Sequence, residues 1–243
     1  MLASDPMHQM NGELSHEEWE QLRRFDTCTL SNAIERLKLR PRNEGFMSSA
    51  ITCRFPQLPP VLGYAVTARM RSAVTPVNGK YYYAHPEFWT YLAGFPGPRI
   101  LVILDGDEEP GVGALLGEAY ARISKAFGCV GCITNGAVRD LPGIAALDYQ
   151  LFSASVAVSH AYAHVVDFGD TVEIAGLRVS NGDLLHGDMH GVHALPHRGL
   201  RELLGLAENV VREDHEIFDL TERKDFSPEI LSAKIAEMRK RHL

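Results

Sequence analysis

Cysteine is scarce in this chain. Cys28, Cys53, Cys129 and Cys132 are the only four among 243 residues, too few and too scattered for a disulfide framework. Basic charge is also short, with 24 Lys and Arg against 31 Asp and Glu and a formal net charge of −7. Nucleic-acid binders present a basic face to the phosphate backbone, so no nucleic-acid partner is expected. A site for an anionic metabolite needs only one or two arginines and stays open. No apolar run approaches the length of a membrane span, and residues 1–12 carry no signal-peptide core. No membrane partner is expected, and the cytoplasm is the expected location. No internal repeat is visible.

What is present is an ordinary globular balance, 45% hydrophobic and 23% charged, enough to bury a real core. Residues 1–13 read as a disordered leader and 14–243 as one domain. Ser15 stands three residues before Glu18, a capping box that opens a helix. Trp19, Leu22 and Phe25 give that helix its apolar stripe. A second helix is predicted over 30–39, ending before Pro41, a strand over 63–70 and a short helix over 86–93.

The middle of the chain is more informative. Residues 100–104 are continuously apolar, as in a strand buried on both faces. A polar loop (105–113), a helix (117–127) and a second buried strand (129–134) follow. That order reads as a crossover unit with parallel strands. Further on, 171–174 and 177–179 flank Ala175-Gly176, a hairpin pattern. The C-terminal part is helical, over 199–218 and then in a last helix capped by Ser227 with Pro228 at its first position. The fold class is therefore α/β, with helical additions at both termini.

Two points of the crossover unit converge. The first is Gly111-Val112-Gly113-Ala114-Leu115-Leu116-Gly117-Glu118, a junction that offers the unpaired N–H groups of a helix N-terminus, favourable to anions. The second follows the next strand, Asn135-Gly136-Ala137-Val138-Arg139-Asp140-Leu141-Pro142-Gly143. Arg139 has the planar fork that suits a carboxylate, and Asp140 can hold a hard divalent cation. Both points fall at the carboxyl ends of parallel strands, where open α/β sheets place ligands. With Glu118 as a nearby acid, the set suggests chemistry beside a carbonyl.

These residues resemble the RraA-like family, which includes 4-hydroxy-4-methyl-2-oxoglutarate aldolases and ribonuclease regulators. The aldolases carry an acid, twenty intervening positions and then Arg-Asp, the spacing of Glu118, Arg139 and Asp140. The family's Asp-Gly-Ala-Val-Arg-Asp run appears as residues 135–140, with Asn135 in place of the first acid. Its later Gly-Asp and Asp-x-x-Gly-Val patterns appear as Gly182-Asp183 and Asp188-Met189-His190-Gly191-Val192. The likeness covers roughly residues 25–215.

The resemblance implies a layered α/β/β domain assembled as a homotrimer or homohexamer, with sites near subunit interfaces. It implies Mg²⁺ or Mn²⁺ on Asp140. Arg139 and the backbone of Gly117, Glu118, Ala119 and Tyr120 would hold a pyruvyl group, and Glu118 would act through water in proton transfer. The implied substrate is a small 2-oxo acid. The activity would be that of a metal-dependent lyase, cleaving a 4-hydroxy-2-oxo acid to pyruvate and a carbonyl product or decarboxylating oxaloacetate through a pyruvate enolate. The rival reading is a non-catalytic, protein-binding ribonuclease regulator.

Plainer readings stand beside these. Arg139-Asp140 has a plainer reading as a solvated surface pair, and Glu118 as a first-turn glutamate favoured by the helix dipole. The Gly111–Gly117 run has dinucleotide-loop character but the wrong spacing. Cys129-x-x-Cys132 lies on an apolar strand, as buried structural thiols do. His186, His190, His193 and His197 have zinc-like spacing, but the glycines among them favour a turn between strands. His160 and His164 lie in a strand-like segment. Lys80 and Lys125 are candidates for a Schiff base, without a supporting pattern around either. The insertion around Tyr81-Tyr82-Tyr83 is a candidate for shaping a substrate mouth.

Overall fold

The structure is a computed structural model and describes residues 14–77, 79 and 85–241. The expected leader, Lys80 and the Tyr81-Tyr82-Tyr83 segment lie outside the described residues.

Two helices open the fold, α1 (His16–Arg24) and α2 (Thr27–Leu37). The capping box at Ser15 and Glu18 is present. The second helix starts three residues before the expected position because Asp26 caps it, accepting from Thr29 N. It ends at Lys38, which turns left-handed at φ 54.

The body follows as β1 (Thr52–Cys53), β2 (Val61–Arg71), α3 (Pro86–Ala93), β3 (Arg99–Asp105), β4 (Ala114–Leu116), α4 (Glu118–Ala126), β5 (Cys129–Val138), α5 (Leu141–Ala145) and β6 (Gln150–Val156). Strands β2, β3, β5 and β6 are parallel neighbours in that order, joined by helical crossovers. The apolar strands owe their composition to burial on both faces. Leu101 and Ile103 of β3 face one cluster with Tyr120, Leu116 and Ile144. Ile100 and Val102, one step out of phase, face a second cluster with Ile133 and Phe152.

The remaining strands are β7 (His164–Phe168), β8 (Val172–Ile174), β9 (Leu177–Val179), β10 (Leu184–Asp188) and β11 (Gly191–Ala194), followed by α6 (Leu200–Thr221) and α7 (Pro228–Lys240). The β8–β9 hairpin turns on Ala175 and Gly176, both at positive φ, as a two-residue hairpin requires. Strands β10 and β11 extend the main sheet antiparallel beyond β2. Helices α1, α2 and α6 cover this side through a third cluster that includes Leu22, Leu30, Leu62, Leu184 and Leu203.

One segment joins the two ends of the sheet. Met47 N donates to Val192 O and Ala194 N donates to Gly45 O, both on β11. A few residues later, Thr52 and Cys53 pair with Ser153 and Phe152 of β6. The result is a mixed α/β fold with a nearly closed, barrel-like sheet and helices at both termini, in agreement with the expected class.

Candidate active site at the carboxyl ends of the strands

The site is assembled where β4 inserts beside the last residues of β5. Ala114 pairs with Ala137 and Leu116 with Val138, and Arg139 N donates to Leu116 O at 3.0 Å. The expected loop-to-helix junction at 111–118 therefore contains a short buried strand, too brief to show a period. This pairing sets Gly117 and Arg139 side by side.

Gly117 is the N-cap of α4 and has no side chain with which to cap it. The first N–H groups of a helix, here those of Glu118, Ala119 and Tyr120, have no acceptor within the helix. Asp140 supplies one from the neighbouring segment: its Oδ2 accepts Glu118 N at 3.2 Å. The same oxygen accepts Arg139 Nε at 3.2 Å. Asp140 reaches this position from a left-handed backbone, φ 56 and ψ 36, a conformation that Asp tolerates better than most residues. Its carbonyl accepts Gly143 N and Ile144 N, starting α5.

The Glu118 side chain runs along its own helix to Arg122, whose Nε and terminal nitrogen donate to Oε1 at 2.8 and 2.6 Å. Its carboxylate lies over Gly143, where a Cβ would collide with it. Ala119 is exposed. Tyr120 is fully buried, its ring 4.9 Å from that of Trp89, so only its backbone belongs to the helix mouth.

Asn135 and Asp105, to which the sequence assigned no role, frame this locus. Asn135 Oδ1 accepts Asp105 N at 2.7 Å, and its Nδ2 donates to Asp105 O at 3.0 Å. An amide can do both at once and a carboxylate cannot, which accounts for asparagine at the position where the family run has an acid. Asp105 is buried and accepts Gly111 N at 2.8 Å. Burial raises its pKa, against the N–H groups of Gly111 and Asp107. Burial pushes Asp107 the same way, but the N–H groups of Ser72 and Ala73 hold it below the usual range. The signal available in the sequence was the polar loop at 105–113, which carried no role.

The other candidates go elsewhere. His186 and His193 are buried on β10 and β11 with ring nitrogens 3.3 Å apart. His190 pairs with Asp188 and His197 with Asp183. Among the described residues no group of three His, Cys, Asp or Glu could hold a metal ion. Cys129 and Cys132 are buried on β5, and burial raises both thiols, Cys129 to about 12. His164 is buried at the start of β7 and His160 lies in the loop before it. Lys125 Nζ donates to Leu147 O, near the far end of α4. A cavity of about 260 Å³ lined by Trp19, Arg23, Pro60 and Pro98 lies at the amino ends of the strands, away from Arg139.

A family model described as RraA-like, Aldolase/RraA, matches residues 27–193. The chain belongs to the RraA-like family. The match includes Glu118, Arg139, Asp140 and Asp188 and leaves out α1, α6 and α7. A curated protein of Halalkalibacterium halodurans, named putative 4-hydroxy-4-methyl-2-oxoglutarate aldolase, is 25% identical over 119 residues. That alignment covers 49% of this chain, which thereby spans about half (52%) of that relative's length. Among solved structures, an uncharacterized protein of Pseudomonas syringae pv. tomato superposes with a TM-score of 0.71 at 17% identity, over 97% of this chain and 99% of that one. Streptomyces coelicolor RraAS2, described as an unusual member of the RNase ES inhibitor RraA family, gives 0.64 at 20% identity, over 87% and 98%. At these identities the structural likeness establishes the fold. The family itself spans aldolases and ribonuclease regulators.

Proposed function

We propose that this RraA-like protein is a metal-dependent lyase acting on small 2-oxo acids. It would cleave a 4-hydroxy-2-oxo acid to pyruvate and a carbonyl product, and decarboxylate oxaloacetate. The observation that carries the reading is the Asp140 carboxylate, which ties the N-terminus of α4 and the guanidinium of Arg139 into one locus.

Three features of that locus support it. The helix N-terminus at Gly117, Glu118, Ala119 and Tyr120 favours an anion, suiting a substrate carboxylate. Arg139, partly exposed, can bind the pyruvyl unit in two-pronged fashion and stabilise the charge that grows on the enolate oxygen. Asp140 is half-exposed at the rim, and Mg²⁺ or Mn²⁺ sites commonly use one or two carboxylates with waters and substrate oxygens. The donor set therefore fits such a cation held by Asp140, and not a closed structural zinc site. Bound there, the cation would polarise the 2-oxo group as a Lewis acid.

Glu118 serves as the base, taking the proton of the substrate hydroxyl through a water molecule. Arg122 fixes the orientation of its carboxylate. Decarboxylation reaches the same enolate without that proton transfer, so one site serves both reactions. The assembly is a homotrimer or homohexamer under this reading.

The test is pyruvate release from a panel of 4-hydroxy-2-oxo acids and from oxaloacetate, with Mg²⁺ and with chelator. Release that needs the cation is the expected result. No release from any substrate, together with capture of a ribonuclease by the purified protein, would favour the regulator reading.

A further inference from the structure

We propose that Asp105 is a positioning residue for the lyase site, its buried carboxylate setting where the N-terminus of α4 stands against Arg139. The inference rests on the function proposed above and adds to it a residue that acts through others.

The site depends on Gly117 and Arg139 keeping their places side by side, and β4 brings them there. Its register is weak. Ala114 pairs with Ala137, Leu116 pairs with Val138, and the pairing shifts between them. A one-residue slip of a strand turns every side chain to the other face. Here it would carry Gly117 away from Arg139, whose N–H donates to Leu116 O. The register of so short a strand has to be held from outside it.

The loop before β4 supplies that hold. Asp105 ends β3 and is 2% exposed. Its Oδ1 accepts Asp107 N at 3.2 Å and its Oδ2 accepts Gly111 N at 2.8 Å. One carboxylate thus grips the loop where it leaves β3 and again shortly before β4. Asn135 clasps the backbone of the same residue and belongs to β5, the strand that leads to Arg139. Gly136 lets the Asp105 side chain lie close against that strand, since a Cβ there would stand 3.0 Å from its Cβ and Oδ2. Gly111 makes the matching allowance on the loop, at φ 96 and with a missing Cβ that would meet Ser155 Oγ at 2.8 Å. Further along, Ser72 Oγ and Ser159 O accept Gly113 N and Ala114 N. Asp105 therefore ties the strand that leads to Arg139 to the loop that leads to Gly117.

A buried carboxylate is costly unless it is well hydrogen-bonded, and burial raises the pKa of Asp105. What its charge adds is strength, because hydrogen bonds to an ionised acceptor are roughly twice as strong as neutral ones. A loop held by two of them keeps one geometry, as a two-pronged grip on substrate requires.

The experiment has two arms, both on the full chain. In the first, amide hydrogen exchange is followed in wild type and in Asp105→Asn, which keeps the shape but only one acceptor oxygen. Exchange at Gly111 and Arg139 should speed up by about 10- to 100-fold, the range for a lost hydrogen bond to a charged group, while Val66 and Leu101 keep their wild-type protection. In the second, kcat/KM for pyruvate release is measured for Asp105→Asn and Gly136→Ala, alone and combined with Arg139→Lys. Each should lose activity alone and add little to the loss of Arg139→Lys, because residues acting through one another are not additive. Unchanged exchange at Arg139, a uniform rise across the chain, or losses that add to that of Arg139→Lys would each overturn the proposal. A wild type that releases no pyruvate would overturn the lyase reading instead, and the exchange arm, which needs no turnover, would still decide whether Asp105 holds Arg139 in place.

Discussion

Asp140 accepts the backbone N–H of Glu118 at 3.2 Å, across 22 positions of sequence. A side chain on one crossover connection thus caps the helix of another. The contact welds the two loops of the site and gives Asp140 a structural duty beside the chemical one proposed for it, and different substitutions separate the two.

Asp140→Asn should abolish pyruvate release with little loss of stability. Asparagine keeps the oxygen that accepts Glu118 N and tolerates the left-handed backbone, but it gives up the charge that would hold a cation under the proposed function. Asp140→Ala should lose activity as well and cost about 1–2 kcal/mol, from the missing cap and the strained φ. Denaturant melts of both variants beside a pyruvate assay measure the split. Full activity in the asparagine variant would remove the metal from the mechanism.

Arg139→Lys should not restore function. Lysine keeps the charge and loses the planar fork, so transition-state stabilisation should fall by at least ~2 kcal/mol, the scale of one lost electrostatic donor. Steady-state kcat/KM reads this directly, and near-normal turnover would make Arg139 a structural residue.

Glu118→Gln should separate the two reactions. Aldol cleavage should fall by the ~10²–10⁴-fold typical of a lost general base, while oxaloacetate decarboxylation falls much less. The measurement is the ratio of the two rates at saturating Mg²⁺, in wild type and variant. Equal losses would move Glu118 into substrate binding, and no loss would leave it as a first-turn glutamate.

Gly143→Ala should act through Glu118. The added methyl would occupy the space of the Glu118 carboxylate, with no backbone penalty because φ there is not positive. Aldol cleavage should drop by up to the ~10²–10⁴-fold of a lost base. Combining it with Glu118→Gln should add little, because residues in one network are not additive. Additive losses in that double variant would show that Gly143 acts elsewhere.

Stability should fall with acid between about pH 6.5 and 4. Burial lowers His186 to about 4 and holds His193 well below its usual value. Asp188 and Asp26 pull His186 upward, while Arg40 pushes His193 further down. The unfolded chain therefore binds more protons across this window, so unfolding free energy rises with pH, by up to ~1.4 kcal/mol per unit for each group. Urea midpoints across the window check the slope. A His186→Asn and His193→Asn variant should flatten it, and an unchanged slope would assign the acid sensitivity to other groups.

The parts of the fold that were legible are those buried on both faces. Strands β3 and β5 show as apolar runs because Leu101 and Ile100 face different cores. N-caps are equally local, and Ser15 and Ser227 mark their helices correctly. Strand β4 was not legible, since three residues cannot display a period and its glycine-rich setting reads as loop. The cap on α4 was hidden for a different reason. Its N-cap is Gly117, with nothing to offer, and the acceptor comes from a distant segment. Arg139 and Asp140 were visible as polar residues ending an apolar strand, but the partner of Glu118 was not. The pairing with Arg122 is a helical i,i+4 contact that the sequence spacing alone allows.

The segment from Gly45 to Cys53 has a consequence for the chain's behaviour in concentrated solution. Because it binds β11 at one end and β6 at the other, it covers part of the ladder of N–H and C=O groups that each of those strands would otherwise present. Exposed ladders of that kind template fibril growth. The few hydrogen bonds around Met47 and Thr52 thus act as a partial seal, and weakening them would leave more of that backbone open to pairing with another chain.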